Sequence, residues 1–376
     1  MIPDFPGWAV GGVRRLRAYD PGHDIVALRR AASDGDLLEL GSNESPYGPS
    51  ERAVAAALAS LGDLHRYPDP LGKDLRGALS TYHGLAPENF ILGNGSHELL
   101  MQVAQVFAGH AAGVVASQFG FAVYPIAAQA ADAPFEAAPA LAAGAEMPRG
   151  HDLHALAAAA AGSCRVIYLA NPNNPTGTWF TTDALAGFLQ QVGPDRLIVV
   201  DEAYAEYVTD PAWTSAIGLI AKHPNLLVTR TFSKAHGLAS LRVGYACGHP
   251  DLLAVLERVR ESFNVNGPAL AAAEAALEDR EHVASVRAGN AVERDWLRGE
   301  LLSRGWAVAP SQTNFLLVDF GTDANAVEAS LLAQAVVPRP MRGYGLPHCL
   351  RLTLGQRADN ARLLAALDFA WQGRVR

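Results

Sequence analysis

The stretch Arg196-Leu197-Ile198-Val199-Val200-Asp201-Glu202-Ala203-Tyr204 decides how the chain is read. Four apolar residues run unbroken into an aspartate, and a tyrosine follows three residues later. β-branched residues suit a strand, and an apolar run without polar alternation suits one buried on both faces. The same layout occurs in the runs before and after it. Residues 165–170 (RVIYLA) run into Asn171-Pro172-Asn173-Asn174-Pro175-Thr176-Gly177, and residues 225–230 (NLLVTR) run into Thr231-Phe232-Ser233-Lys234. Further runs stand at 113–117 (GVVAS) and 243–248 (VGYACG), interleaved with helical patterns at 51–61, 96–108 and 182–191. Short buried strands alternating with helices predict an α/β fold, a mostly parallel sheet flanked by helices.

The pattern changes after about residue 250. A long helical region at 268–304 precedes strands in TNFLLVDF (313–320) and CLRLTLG (349–355), with a closing helix at 360–372. These predict a second, smaller α+β unit. The expected division is an N-terminal arm with the start of the small unit (1–40), a large ligand-binding unit (41–265) and a small C-terminal unit (266–376). Within the arm, Pro3, Pro6, Gly7, Gly11 and Gly12 discourage regular structure, while Ile2, Phe5 and Trp8 call for a surface to cover. The Ala-rich stretch 127–161 reads as a strand, a Pro-containing loop and a helix.

Composition narrows the function classes. A chain of 376 residues, 49% hydrophobic and 18% charged, describes an ordinary folded protein of one large unit and a smaller one. A formal charge of −8 argues against nucleic acid and anionic membrane as partners, because both need basic surface. Cys164, Cys247 and Cys349 are too far apart for a metal motif or disulfide framework, and read as buried thiols in a reducing compartment. No segment reaches the roughly 20 apolar residues that span a bilayer. The first charges follow the apolar residues, the wrong order for a secretory signal. A cytoplasmic protein is expected.

The three runs ending in polar clusters carry the chemistry, because open parallel sheets bind ligands outside the carboxyl ends of their strands. If the strands are neighbours, Asn174, Asp201, Tyr204 and Lys234 converge. Lys234 is one of only three lysines, beside Lys73 and Lys222, among 30 basic residues. An amine attacks an aldehyde only when uncharged, and lysine can lose its proton where arginine cannot. A carboxylate such as Asp201 keeps a pyridine nitrogen protonated, so that the ring accepts electrons. Asn174 and Tyr204 can donate to a ring phenolate. Gly93-Asn94-Gly95-Ser96 opens a helix with free N–H groups suited to a phosphate, to which Thr231, Ser233 and Arg242 add hydroxyls and a cation.

With these stretches in place the chain closely resembles the pyridoxal-phosphate aminotransferases of fold type I, classes I and II, and within them the histidinol-phosphate aminotransferase family. The matching segments are YDPG (19–22), SNESPYGPS (42–50), RYPDPLG (66–72), GNGSHELL (93–100), FAVY (121–124), NPNNPTG (171–177), VVDEAY (199–204), SKAHGLASLRVGY (233–245), YGLP (344–347) and LRLTLG (350–355). The resemblance implies an aspartate-aminotransferase-like fold and pyridoxal 5'-phosphate as cofactor. It implies that Lys234 holds the cofactor covalently and then acts as base, that Asp201 pairs with the pyridinium, and that Tyr204 and Asn174 hold the phenolate oxygen. Phe121 would stack on the ring, where many relatives have tyrosine. Gly95, Ser96, His97, Thr231, Ser233 and Arg242 would cup the phosphate, and Tyr67 would reach the phosphate of the partner subunit, making the protein a homodimer with shared sites. Arg351 would grip the substrate's anionic group, with Tyr19 and Arg339 as further substrate contacts beside Asn174. Ser240, His236 and His97 depart from the common pattern around the phosphate.

The activity implied is ping-pong amino transfer between small molecules: histidinol phosphate and 2-oxoglutarate give imidazole-acetol phosphate and glutamate, a step of histidine biosynthesis. The alternative with the same residues is an aromatic amino-acid aminotransferase, with Phe119, Phe121 and Tyr124 near the pocket. A decarboxylase of an amino-acid phosphate keeps the cofactor and changes the bond broken. A non-catalytic cofactor-binding sensor is the reading of another class, and it needs an attached DNA-binding module for which residues 1–40 are too short and too rich in Pro and Gly.

Overall fold

The computed structural model describes residues 3–16, 22–32 and 37–372. Among these residues the strands are β1 (Leu38–Glu39), β2 (Phe90–Gly93), β3 (Gly113–Ser117), β4 (Phe135–Ala138), β5 (Cys164–Ala170), β6 (Leu197–Asp201), β7 (Leu226–Thr231) and β8 (Gly244–Cys247). They are followed by β9 (Ala307–Val308), β10 (Phe315–Asp319), β11 (Val336–Val337), β12 (Arg339–Pro340) and β13 (Cys349–Thr353).

Seven of them form one sheet in the order β2-β8-β7-β6-β5-β3-β4. Neighbours from β7 through β4 are parallel, and β8 runs antiparallel to both β7 and β2. The expected mostly parallel sheet is present. Its strands are apolar throughout because side chains alternate between two covered faces. On one face Ile167, Leu169, Ile198, Val200, Leu226 and Val228 pack in a single core. On the other, Val166, Tyr168, Val199 and Leu227 pack with Leu99, Leu100 and Val103 of the helix Ser96–Phe107. Each such fully buried aliphatic side chain contributes about 1.5–3 kcal/mol.

A second sheet, β12-β13-β10-β9, is antiparallel throughout. Leu316, Val318, Leu350, Leu352 and Leu354 turn one face of it into a separate core with Leu297, Leu301, Leu363 and Leu367 from two helices. β1 pairs in parallel with β11, which stitches the segment after the arm to this part of the chain.

The region expected as one helix over 268–304 is two helices, Gly267–Glu278 and Arg280–Ser303. Asp279 divides them: its backbone leaves helical geometry, and its carboxylate caps the second helix by accepting from the His282 amide at 3.1 Å. Ala269, Ala272 and Ala273 of the first of these helices belong to the core of the seven-stranded sheet. In 127–161, β4 and the helix Leu153–Ala159 are present, but residues 127–130 finish the helix Val123–Ala130. Lys73 opens the helix Lys73–His83 with its side chain exposed. The three cysteines are free, Cys247 and Cys349 buried and Cys164 partly so. No helix among the described residues is long and apolar enough to cross a membrane.

Candidate active site

β5, β6 and β7 lie side by side, so their polar carboxyl ends meet. Ala170 pairs with Asp201 in register, and Asp201 with Thr229. Outside these ends lies a cavity of about 360 Å³, within the range of small-molecule sites. Asn174, Asp201, Tyr204 and Lys234 all line it, as do Ser96, His97, Phe121, Thr231, Ser233, Arg242, Arg339 and Arg351.

Asp201 is buried at the floor. Its carboxylate accepts from Tyr124 Oη at 3.2 Å and Thr229 Oγ1 at 3.1 Å. Burial pushes its pKa up to about 6, against the opposing pull of those hydroxyls. Tyr124 is locked by parallel stacking on Tyr168, with ring centres 4.8 Å apart. The adjacent Glu202 faces the other way, where it accepts from Arg230 Nε at 2.9 Å and from Ser215 Oγ at 2.7 Å. The end of β6 is therefore pinned from below, while Asp201 faces the cavity.

Lys234 is partly buried, and its Nζ donates to Ser42 O at 3.1 Å. Burial, reinforced by the Arg351 and Arg242 cations and opposed by Glu44, lowers its pKa to about 7. A sizeable share of Lys234 is therefore uncharged at neutral pH, as attack on an aldehyde requires. Arg351→Met removes one of the cations that disfavour its protonation. The pH midpoint for capture of an aldehyde by Lys234 should then move upward, which stopped-flow absorbance across pH 6–9 will read. An unchanged midpoint would mean that the Arg351 charge does not act on Lys234.

Tyr204 is buried edge-on against Phe315, and its hydroxyl accepts from Asn43 Nδ2 at 2.9 Å. Burial raises its pKa to about 12, so the phenol keeps its proton to donate. Asn174 Oδ1 accepts from Arg351 Nη1 at 2.6 Å, and Gly41 O takes Nη2 at 2.6 Å. Side chains of β13 alternate: Leu350 and Leu352, with Leu354 just past its end, enter the second core, while Arg351 turns to the cavity.

On the anion side, Gly95 at φ +80° caps the helix Ser96–Phe107. A Cβ on Gly95 would lie 2.4 Å from Arg242 Nη2, so only glycine lets the guanidinium close over the turn. Arg242 Nη1 donates to Ser233 Oγ at 3.2 Å, and Ser233 is tied to Thr231 Oγ1 through both its amide and its hydroxyl. Partial burial and the Arg242 charge hold the His97 pKa down, so its ring adds no further cation. A buried carboxylate, an amine of lowered pKa and a glycine-opened helix end facing an arginine fit a phosphorylated pyridine aldehyde.

Tyr67 does not line this cavity; it stands 82% exposed on the surface, stacked on Phe263. Tyr19 lies outside the described residues. Phe119 and Tyr124 do not line the cavity, and Phe121 does. Ser42, Asn43 and Tyr344 line it without having been singled out. Asn43 sits at φ +57°, which Asn tolerates better than most residues, and Thr353 Oγ1 donates to its side-chain oxygen at 3.1 Å. An asparagine in the polar segment 42–50 was the one signal available for it.

This fold and this arrangement define a class. The chain belongs to the aminotransferase class I and II family, whose model matches residues 35–367. It is 44% identical to histidinol-phosphate aminotransferase 2 of Pseudomonas aeruginosa, over 97% of this chain and 98% of that protein. It is 42% identical to histidinol-phosphate aminotransferase 1 of Nitrosococcus oceani, over 96% of each chain. Its structure matches the crystal structure of histidinol-phosphate aminotransferase from Sinorhizobium meliloti in complex with pyridoxal-5'-phosphate with a TM-score of 0.87 at 30% identity, covering 97% of this chain and 98% of that one.

Proposed function

We propose that the chain is a pyridoxal 5'-phosphate-dependent aminotransferase that moves the amino group between histidinol phosphate and 2-oxoglutarate, giving imidazole-acetol phosphate and glutamate. The observation that carries this reading is Lys234, with a pKa near 7, set in one cavity with the buried carboxylate of Asp201 and the inward-turned Arg351. Full-length similarity to histidinol-phosphate aminotransferases supports the substrate.

When bound, the cofactor supplies an electron-accepting ring for the charge left as a substrate Cα loses its proton. The residues do the rest. Asp201 would keep a proton on the ring nitrogen. Lys234 Nζ would hold the aldehyde carbon and, once the substrate's amine had taken its place and left it free, would take the Cα proton and return it. Tyr204 Oη and Asn174 would orient the phenolate oxygen, and Phe121 would cover the ring. The turn Gly95-Ser96-His97, Thr231, Ser233 and Arg242 would hold the phosphate. Arg351 would take the substrate's anionic group through its fork, which suits carboxylate and phosphate alike, with Arg339 beside it in the cavity lining.

A homodimer with shared sites belongs to the same proposal. Val54, Leu58, Leu61, Leu64, Tyr67 and Leu71 are exposed apolar residues within one short stretch of the chain, and Phe5 and Trp8 of the arm stand exposed as well. Exposed apolar area of this extent suits a partner surface. We assign the units as an arm (1–40), a cofactor-holding unit (41–265) and a small unit (266–376), and a cytoplasmic location, which the three free cysteines support.

The deciding experiment is a panel of single-turnover half-reactions. Histidinol phosphate should convert the cofactor at least tenfold faster, by kcat/KM, than phenylalanine or tyrosine. Equal values would replace the narrow substrate by a broad aromatic one, and a faster aromatic pair would favour the aromatic aminotransferase reading.

A further inference from the structure

Tyr67 carries an unusual support. Its ring lies on Phe263 with centres 4.5 Å apart and planes 21° from parallel, an offset-stacked pair in an otherwise exposed setting. Phe263 has φ +60°. A bulky side chain in the left-handed region is strained and persists only where the surroundings impose it. They do so from both sides. Asn264 Nδ2 donates to Leu92 O at 3.1 Å, at the end of β2, and to both Glu98 oxygens at 3.1 Å. Glu98, in the first turn of the phosphate-side helix, also accepts from the Asn94 amide. On the other side Arg260 Nη1 donates to Asn264 Oδ1 at 2.7 Å, while its Nη2 donates to Pro70 O at 2.8 Å. Pro70 belongs to the same loop as Tyr67.

Residues 260–264 therefore clamp two things at once: the turn at 94–96 that faces this chain's own cavity, and the loop at 67–70 on the surface. Phe263 is held in a strained conformation with its ring under Tyr67. Nothing in the folding of the core requires this, since Phe263 is itself over a third exposed.

We propose that Phe263 is a positioning residue that presets the Tyr67 ring for the cofactor phosphate of the partner subunit, with Arg260 and Asn264 fixing the backbone that aims it. This rests on the shared-site dimer of the preceding reading. It goes beyond that reading in assigning the aim of Tyr67 to a residue that does not touch the cofactor.

The test compares pyridoxal 5'-phosphate with pyridoxal, which has the aldehyde but no phosphate, in titrations of the full-length dimeric apoprotein. Phe263→Gly relieves the backbone strain and removes the platform. It should weaken pyridoxal 5'-phosphate binding about tenfold while leaving pyridoxal within twofold. Phe263→Tyr, which keeps the ring, should restore the phosphate preference. Phe263→Asn, which also tolerates positive φ, guards against a folding artefact and should behave as the glycine variant does. A merely structural role would weaken both ligands equally, and that result, or no change in either, overturns the proposal. Tyr67→Phe separates the two levels. If Tyr67→Phe lowers the phosphate preference and Phe263→Gly does not, only the positioning role fails. If Tyr67→Phe has no effect either, the shared site fails with it.

Discussion

Lys234→Ala is expected to lower kcat by on the order of 10⁴-fold or more, because in the proposed mechanism the substitution removes both the covalent anchor and the base that moves the Cα proton. No other lysine lines the cavity. Lys73 and Lys222 lie exposed and outside the cavity lining, and Arg351 and Arg242 cannot give up a proton. Cofactor should still bind, since the phosphate cup and Asp201 are untouched, but the absorbance of the covalently held form will be missing. Small primary amines added to the variant should restore a measurable part of the rate. Steady-state kinetics with histidinol phosphate, alongside the absorption spectrum, checks all three points. Undiminished turnover would remove Lys234 from the chemistry.

Asp201→Asn should be nearly as damaging to turnover, by roughly 10³-fold in kcat, for a different reason. Asparagine keeps the size of the side chain and an oxygen to accept from Tyr124 or Thr229, so the fold loses little. It carries no charge to keep a proton on a ring nitrogen. Burial holds the wild-type carboxylate near pKa 6, so in the proposed mechanism a protonated ring nitrogen would be the partner that offsets its burial. The loss should therefore fall on kcat, with cofactor affinity changed by less than about tenfold. Single-turnover rates and equilibrium titration separate the two. A variant that kept the rate and lost the cofactor would make Asp201 a binding group alone.

Much of this site was legible because the chemistry sits at strand ends. Apolar runs with abrupt polar stops located β5, β6 and β7, and their adjacency brought Asn174, Asp201 and Lys234 together. Direction was not legible. The run at 243–248 has the composition of its parallel neighbours, yet β8 runs antiparallel, since both kinds of buried strand draw on the same residues. β2 is only four residues, its apolar run Phe90-Ile91-Leu92 ending at once in Gly93, and β4 is as short and partly exposed in an alanine-rich stretch. The break at Asp279 depended on a cap that a helical pattern hides. Asn43 and Tyr344 reach the cavity through tertiary contacts, Asn43 to Thr353 and Tyr344 through its hydroxyl, which accepts from the Ala122 amide at 3.2 Å. No local pattern announces such pairings. The Arg260–Asn264 clamp joins residues about 170–190 positions apart and was invisible for the same reason.

The antiparallel return of β8 has a consequence for how this enzyme tolerates length variation. β7 and β8 are joined without a crossover helix, so residues 232–243 are a hairpin loop closed by the Thr231–Gly244 pair. Lys234 and Arg242 ride near its two ends. A Cβ on Gly244 would fall 2.6 Å from the Ser96 amide, so the base of the loop also abuts the turn at 94–96. One residue inserted or deleted between Lys234 and Arg242 should therefore shift the amine relative to the guanidinium, and a change of length here is expected to cost activity where the same change in a loop remote from the cavity would not.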